Sequence, residues 1–138
     1  MNRVIYLIVV IFLVSCESPL IKKIESTYPD NQSKKVSYFN TIDGKEIKLE
    51  EKYFHQNGIL KMSGKFLNGK REGKWIAYFN NEKVQSIGVF KEGKREGEAQ
   101  VYFPNGKLRY EGQYENDKEI GHWKFYNEHG LLIEEKDF

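Results

Sequence analysis

From Leu60 onward, apolar and polar residues alternate in short runs. In "LKMSGKF", Leu60, Met62, Gly64 and Phe66 fall on one side, and Lys61, Ser63 and Lys65 on the other. "LRYEGQY" repeats the arrangement, with Leu108, Tyr110, Gly112 and Tyr114 opposed to Arg109, Glu111 and Gln113. A period of two marks a β-strand with two unlike faces. A second run follows each time: "KWIAYF", "EAQVYF" and "HWKFYN". One face of this second run carries Trp75, Ala77 and Phe79, then Ala99, Val101 and Phe103, then Trp123 and Phe125. The other face carries Lys74, Ile76 and Tyr78, then Glu98, Gln100 and Tyr102, then His122, Lys124 and Tyr126.

The runs recur every 24 residues, and the period holds without a gap for three copies and half of a fourth. Phe54, Tyr78, Tyr102 and Tyr126 form one column; Leu60, Val84, Leu108 and Leu132 form another. Gly64, Gly88 and Gly112 align, as do Gly73, Gly97 and Gly121. The middle copy departs from the pattern, with Ala99 between Trp75 and Trp123 and Glu82 where Gly58, Gly106 and Gly130 stand. Asp117 replaces the glycine of Gly69 and Gly93. "LNGKREG" and "KEGKREG" join the two strands of a copy, and "PNGK" and "NEHG" join one copy to the next. Both joints carry turn residues suited to left-handed backbone. Upstream, "KVSYFNTIDGKEIKLEEKYF" predicts one further hairpin, turning at Asp43-Gly44, out of phase with the repeat and therefore a cap.

The expected fold is all-β: an antiparallel meander of repeated β-hairpins, about nine strands counted from the turn signals, in one elongated twisted single sheet, open or loosely curled. Each hairpin alone is marginal, and its neighbours supply the missing burial. Glycine weakens a strand, so the column Gly64, Gly88, Gly112 needs a cause. The expectation is that an aromatic ring of a neighbouring strand lies across the bare backbone; a bulge at the same place is the alternative.

"YEGQYENDKEIGHW", residues 110–123, resembles a MORN repeat, whose core is Tyr-x-Gly-x-aromatic followed by a Gly-Lys-x-x-Gly turn. "MSGKFLNGKREGKW" and "SIGVFKEGKREGEA" match with looser first positions. The joint "YFPNGKL", at Tyr102 to Leu108, is similar to that of the bacterial MORN-repeat-variant group often labelled YwqK-type antitoxins; "YFHQNGIL", at Tyr53 to Leu60, matches less well. The resemblance covers Tyr53 to Phe138. It implies hairpins laid side by side, a binding or scaffolding role, and no common catalytic residues.

The N-terminus changes the picture. "MNRVIYLIVVIFLVSC" has a basic start at Arg3 and an apolar run from Val4 to Val14. That run is too short for a membrane-spanning helix and suits a signal peptide. It ends in "LVSC", which resembles the bacterial lipobox; Cys16, the only cysteine, is the expected lipidation site. The expected organisation is a lipoprotein signal peptide over 1–15, a lipidated cysteine and flexible tether over 16–35, a capping hairpin over 36–52 and the repeat domain over 53–138. Lys22 and Lys23 either meet anionic headgroups or are simply solvated. The expected location is the bacterial cell envelope, lipid-anchored, on the periplasmic side of the outer membrane.

Composition limits the remaining chemistry. Charged residues make up 30% of the 138, yet the net charge is only +2 with both signs interleaved, so no nucleic-acid footprint is present. His55, His122 and His129 form no metal-ligand spacing, and acidic pairs such as Glu50-Glu51 alternate across a strand. No catalytic residues, metal or cofactor are expected, and the protein is expected not to be an enzyme. Two surfaces remain for binding. One is the tyrosine column Tyr78, Tyr102 and Tyr126 with Lys74, His122 and Lys124, either a platform for a peptide or glycan or a ladder that only stabilises the sheet. The other is a basic loop edge of Lys70, Arg71, Lys94, Arg95 and Lys118, either a phosphate contact or a solvated edge with Glu72, Glu96 and Glu119 beside it. The membrane, through lipid on Cys16, and a protein or other envelope component are the expected partners; an antitoxin or immunity-like protein that masks a toxin is the alternative.

Overall fold

The computed structural model describes residues 20–138. The expected signal peptide, residues 1–15, and Cys16 lie outside the described residues. Among the described residues, ten strands run in chain order: β1 (Ile21–Thr27), β2 (Ser33–Ile42), β3 (Lys45–Phe54), β4 (Leu60–Leu67), β5 (Lys70–Tyr78), β6 (Val84–Lys91), β7 (Lys94–Tyr102), β8 (Leu108–Glu115), β9 (Lys118–Tyr126) and β10 (Leu132–Asp137). Each pairs antiparallel with the next, in one sheet whose edges are β1 and β10.

The additional strand is β1, inside the segment expected to be a tether. Six of its seven positions are exposed, so an edge strand here shows no apolar alternation to read. Backbone pairing with β2 holds it, together with ion pairs from Glu25 to Lys35 (2.7 Å) and Lys48 (3.2 Å) and from Lys23 to Glu46. The cap is thus three strands, and its β2–β3 turn has Asp43 and Gly44 at φ 50° and 74°, the doubly left-handed form of a tight hairpin.

Burial is sparse because the sheet is one layer. Among the described residues, the buried hydrophobics are Val36, Trp75 and Trp123, with Ser37 and Glu51 buried beside them. Glu51 is held by Lys35 (2.9 Å), Lys48 (2.6 Å) and the Tyr53 hydroxyl (2.9 Å). Burial pushes the Glu51 carboxyl up, but these hydrogen bonds outweigh it and leave it lowered. The Lys35 ammonium beside it, with Lys48, holds the Glu25 carboxyl down, to about 2.

Along one edge of the sheet, the joints between copies are five-residue loops. Phe103 N–H donates to Lys107 O (2.8 Å) and Gly106 N–H to Phe103 O (2.8 Å), with Gly106 at φ 92°. Asn105 fixes the loop through its Oδ1, which accepts Lys107 N–H (2.9 Å), and reaches the next loop by donating from Nδ2 to Glu128 O (2.9 Å). Asn81 does the same, to Lys83 N–H (3.2 Å) and Pro104 O (3.0 Å). On the opposite edge, Glu72 accepts Glu92 N–H and Glu96 accepts Asn116 N–H, both at 2.9 Å. Two ladders of side-chain to backbone bonds therefore stitch each copy to the next.

Candidate functional site

Residues directly paired across strands share a face of a sheet. The register Gly64↔Trp75, Trp75↔Gly88, Gly88↔Ala99 and Ala99↔Gly112 puts glycines and tryptophans in one row. Trp75 lies across Gly64 and Trp123 across Gly112, so a Cβ on either glycine falls inside contact distance of the indole. Bare backbone is what lets each ring lie down, as expected for two of the three glycines. Each indole N–H finds a carbonyl: Trp75 Nε1 donates to Lys65 O (3.2 Å) and Trp123 Nε1 to Ile120 O (3.1 Å). Phe66 and Phe90 meet Trp75 edge-on, and Tyr114 and Phe138 meet Trp123 in the same way. At Gly88 no indole covers the backbone, because Ala99 stands where the tryptophan would be; the edge of the Phe90 ring is nearest, its Cε2 3.7 Å from a Cβ there.

The opposite face carries the tyrosine column. Tyr78 pairs with Val84, Tyr102 with Leu108 and Tyr126 with Leu132, so each aromatic closes a loop against the aliphatic that starts the next strand. Tyr102 OH donates to Gln100 Oε1 (3.0 Å) and Tyr126 OH to Glu111 Oε1 (3.0 Å). Of the six candidates on this face, His122 and Lys124 come together, lining a polar depression of about 380 Å³ with Glu98, Gln100, Glu111 and Gln113. Tyr78, Tyr102, Tyr126 and Lys74 do not line it. His122 is clamped between Asp137 (Nδ1 to Oδ1, 2.7 Å) and Glu135 (Nε2 to Oε2, 3.1 Å), and the Asp137 hydrogen bond raises its pKa above 6.5.

The five basic candidates divide. Lys70, Lys94 and Lys118 start β5, β7 and β9 at the loop edge and are exposed. Arg71 and Arg95, one residue further along, turn onto the tryptophan face. The Arg71 guanidinium lies 4.0 Å from the Trp75 ring centre, and Arg95 lies 4.0 Å from that of Tyr114. Asp117 anchors Arg95 by accepting from its backbone N–H (2.9 Å) and Nε (3.2 Å). The signal for this split was present in "KREG": the strand begins at the lysine, so alternation sends the arginine to the aromatic side. Among the described residues, no group of three His, Cys, Asp or Glu gathers in metal-binding geometry.

Repeated hairpins locked edge to edge in a single layer define a β-repeat protein whose usable area is the sheet itself. Residues 71–92 and 95–116, which span β5–β6 and β7–β8, match the family model of the MORN repeat variant. The match supports a MORN-repeat protein, and such repeats suggest a binding or scaffolding role. Among curated proteins none matches the chain.

Proposed function

We propose that this is a lipid-anchored protein of the bacterial cell envelope whose repeats form a non-enzymatic surface for binding or scaffolding another envelope component. The observation that carries the binding part is the double ladder of turns, which fixes a single layer and leaves both faces to meet a partner. The anchoring part rests on "LVSC" ahead of the fold. The start of β1 at Ile21 adds a consequence: five residue steps from Cys16 reach at most about 17 Å, so the β1 edge is held close to the bilayer. Several alkyl chains on one cysteine make such an anchor stable. The periplasmic side of the outer membrane is the proposed location.

The test is fractionation of cells expressing wild type and Cys16→Ala with a labelled fatty acid in the medium. Label and membrane recovery for wild type, with neither for the variant, is the expected result. Unlabelled wild-type protein in the cytoplasm removes the anchor and makes toxin neutralisation the leading reading.

A further inference from the structure

We propose that the gap over Gly88 and Ala99 binds one aromatic side chain of a partner protein, taken from a segment that carries a carboxylate next to that side chain. This deepens the binding-module reading and rests on it. The repeat supplies its own template. Two glycines of the row are roofed by an indole from the following strand, and the third is not. Trp75 and Trp123 stand four strands apart, about 19 Å at the usual strand spacing, and the vacancy falls between them. The space there is about 210 Å³, with Trp75 and Phe90 toward β5–β6, Ala99 and Val101 beneath, and Tyr110 and Tyr114 toward β8. A site for a drug-sized ligand is about 300–1,000 Å³. This one suits a single ring, which meets rings on both sides in the edge-on or tilted contacts already made by Trp75 with Phe90 and Trp123 with Tyr110.

Charge selects the neighbour of that ring. Arg71 and Arg95 both line the gap, one lying on Trp75 and the other on Tyr114. Arg95 is already paired with Asp117, whereas Arg71 makes no ion pair among the described residues. A carboxylate beside the incoming ring therefore meets a guanidinium held flat on an aromatic surface, with fork geometry ready for it. A basic neighbour meets repulsion from Arg71, whose charge no carboxylate among the described residues offsets.

The test titrates ¹⁵N-labelled full-length protein, in detergent, with the peptide Gly-Glu-Trp-Glu-Gly, following the amides of Gly88 and Ala99. The controls replace the tryptophan by alanine, or both glutamates by lysine. Saturable shifts at both amides with the first peptide, none with the alanine control, and at least fivefold weaker binding of the lysine control are expected. Ala99→Trp, which completes the row with the chain's own indole, is expected to abolish the shifts while keeping a dispersed spectrum. Arg71→Gln is the second variant, expected to bring the glutamate and lysine peptides within twofold of each other. Equal binding of the tryptophan and alanine peptides, or an Arg71→Gln protein that keeps the full glutamate preference, overturns the proposal. A partner that co-purifies equally with wild type and Ala99→Trp overturns the gap as its site and leaves the binding module standing.

Discussion

The glycine row permits one substitution to be made in two settings that differ only in what lies above it. At Gly112 a Cβ falls 2.7 Å from Trp123 Cε3 and closer still to Cδ2 and Cε2, against an ordinary carbon contact of about 3.5–4.0 Å. The ring cannot tip away freely, since Trp123 is 2% exposed and in contact with Tyr114 and Phe138. Overpacking of this kind costs about 1–3 kcal/mol. At Gly88 the nearest atom is 3.7 Å away and the residue is not among those with positive φ, so alanine fits. Both substitutions share the gain from a stiffer unfolded chain, about 0.4–1 kcal/mol. That gain cancels in the comparison. Gly112→Ala is thus expected to be less stable than Gly88→Ala by the clash alone, about 1–3 kcal/mol, with Gly88→Ala at or slightly above wild type. Urea unfolding followed by tryptophan fluorescence measures both, and a changed midpoint at constant slope is the stability change. Adding Gly112→Ala to Trp123→Ala supplies the decisive control, because the clash vanishes with the ring. Equal destabilisation at Gly88 and Gly112, or the full Gly112→Ala cost on the Trp123→Ala background, refutes the reasoning.

Three further outcomes are expected. Asn105→Ala removes the acceptor for Lys107 N–H and the donor to Glu128 O, a loss of about 1 kcal/mol per bond at most, and faster amide exchange at Lys107 checks it. Glu25 is lowered from 4.5 to about 2, so its contribution is complete above pH 4.5 and is lost as pH falls toward 2; Lys35→Met is expected to move the acid-unfolding midpoint upward in a circular-dichroism titration. His122 has its pKa raised by Asp137, so any stability from that contact is present below pH 6.5 and lost as pH rises through the folded value; Asp137→Asn is expected to bring the His122 NMR titration back down.

The repeat made most of the sheet legible. Columns of glycine and aromatic residues at a constant period fixed which strands are neighbours, and alternation fixed their faces. What escaped is what a single copy does not contain. Glu72 and Glu96 looked like charges beside a basic edge, yet each accepts a backbone N–H twenty residues ahead, in the next copy's turn. The β1 strand escaped because an edge held by backbone pairing and ion pairs needs no apolar face. Arg71 and Arg95 were grouped with Lys70 and Lys94 by adjacency, although strand alternation separates neighbours onto opposite sides.

Departures from the repeat are informative because the intact copies show what each position ordinarily holds. Two such departures border one place. Ala99 removes the indole over Gly88. Asp117, at φ 69°, takes a left-handed position that Gly69 and Gly93 fill elsewhere. Aspartate tolerates that conformation better than most residues, at a cost glycine does not incur. In return its carboxylate fixes Arg95 through the backbone N–H and Nε, holding the guanidinium over Tyr114 at the border of the vacancy. A copy drifting toward disrepair would lose contacts without gaining them. Here the missing ring coincides with a newly anchored arginine, and that coincidence argues for a surface shaped to be filled from outside the chain.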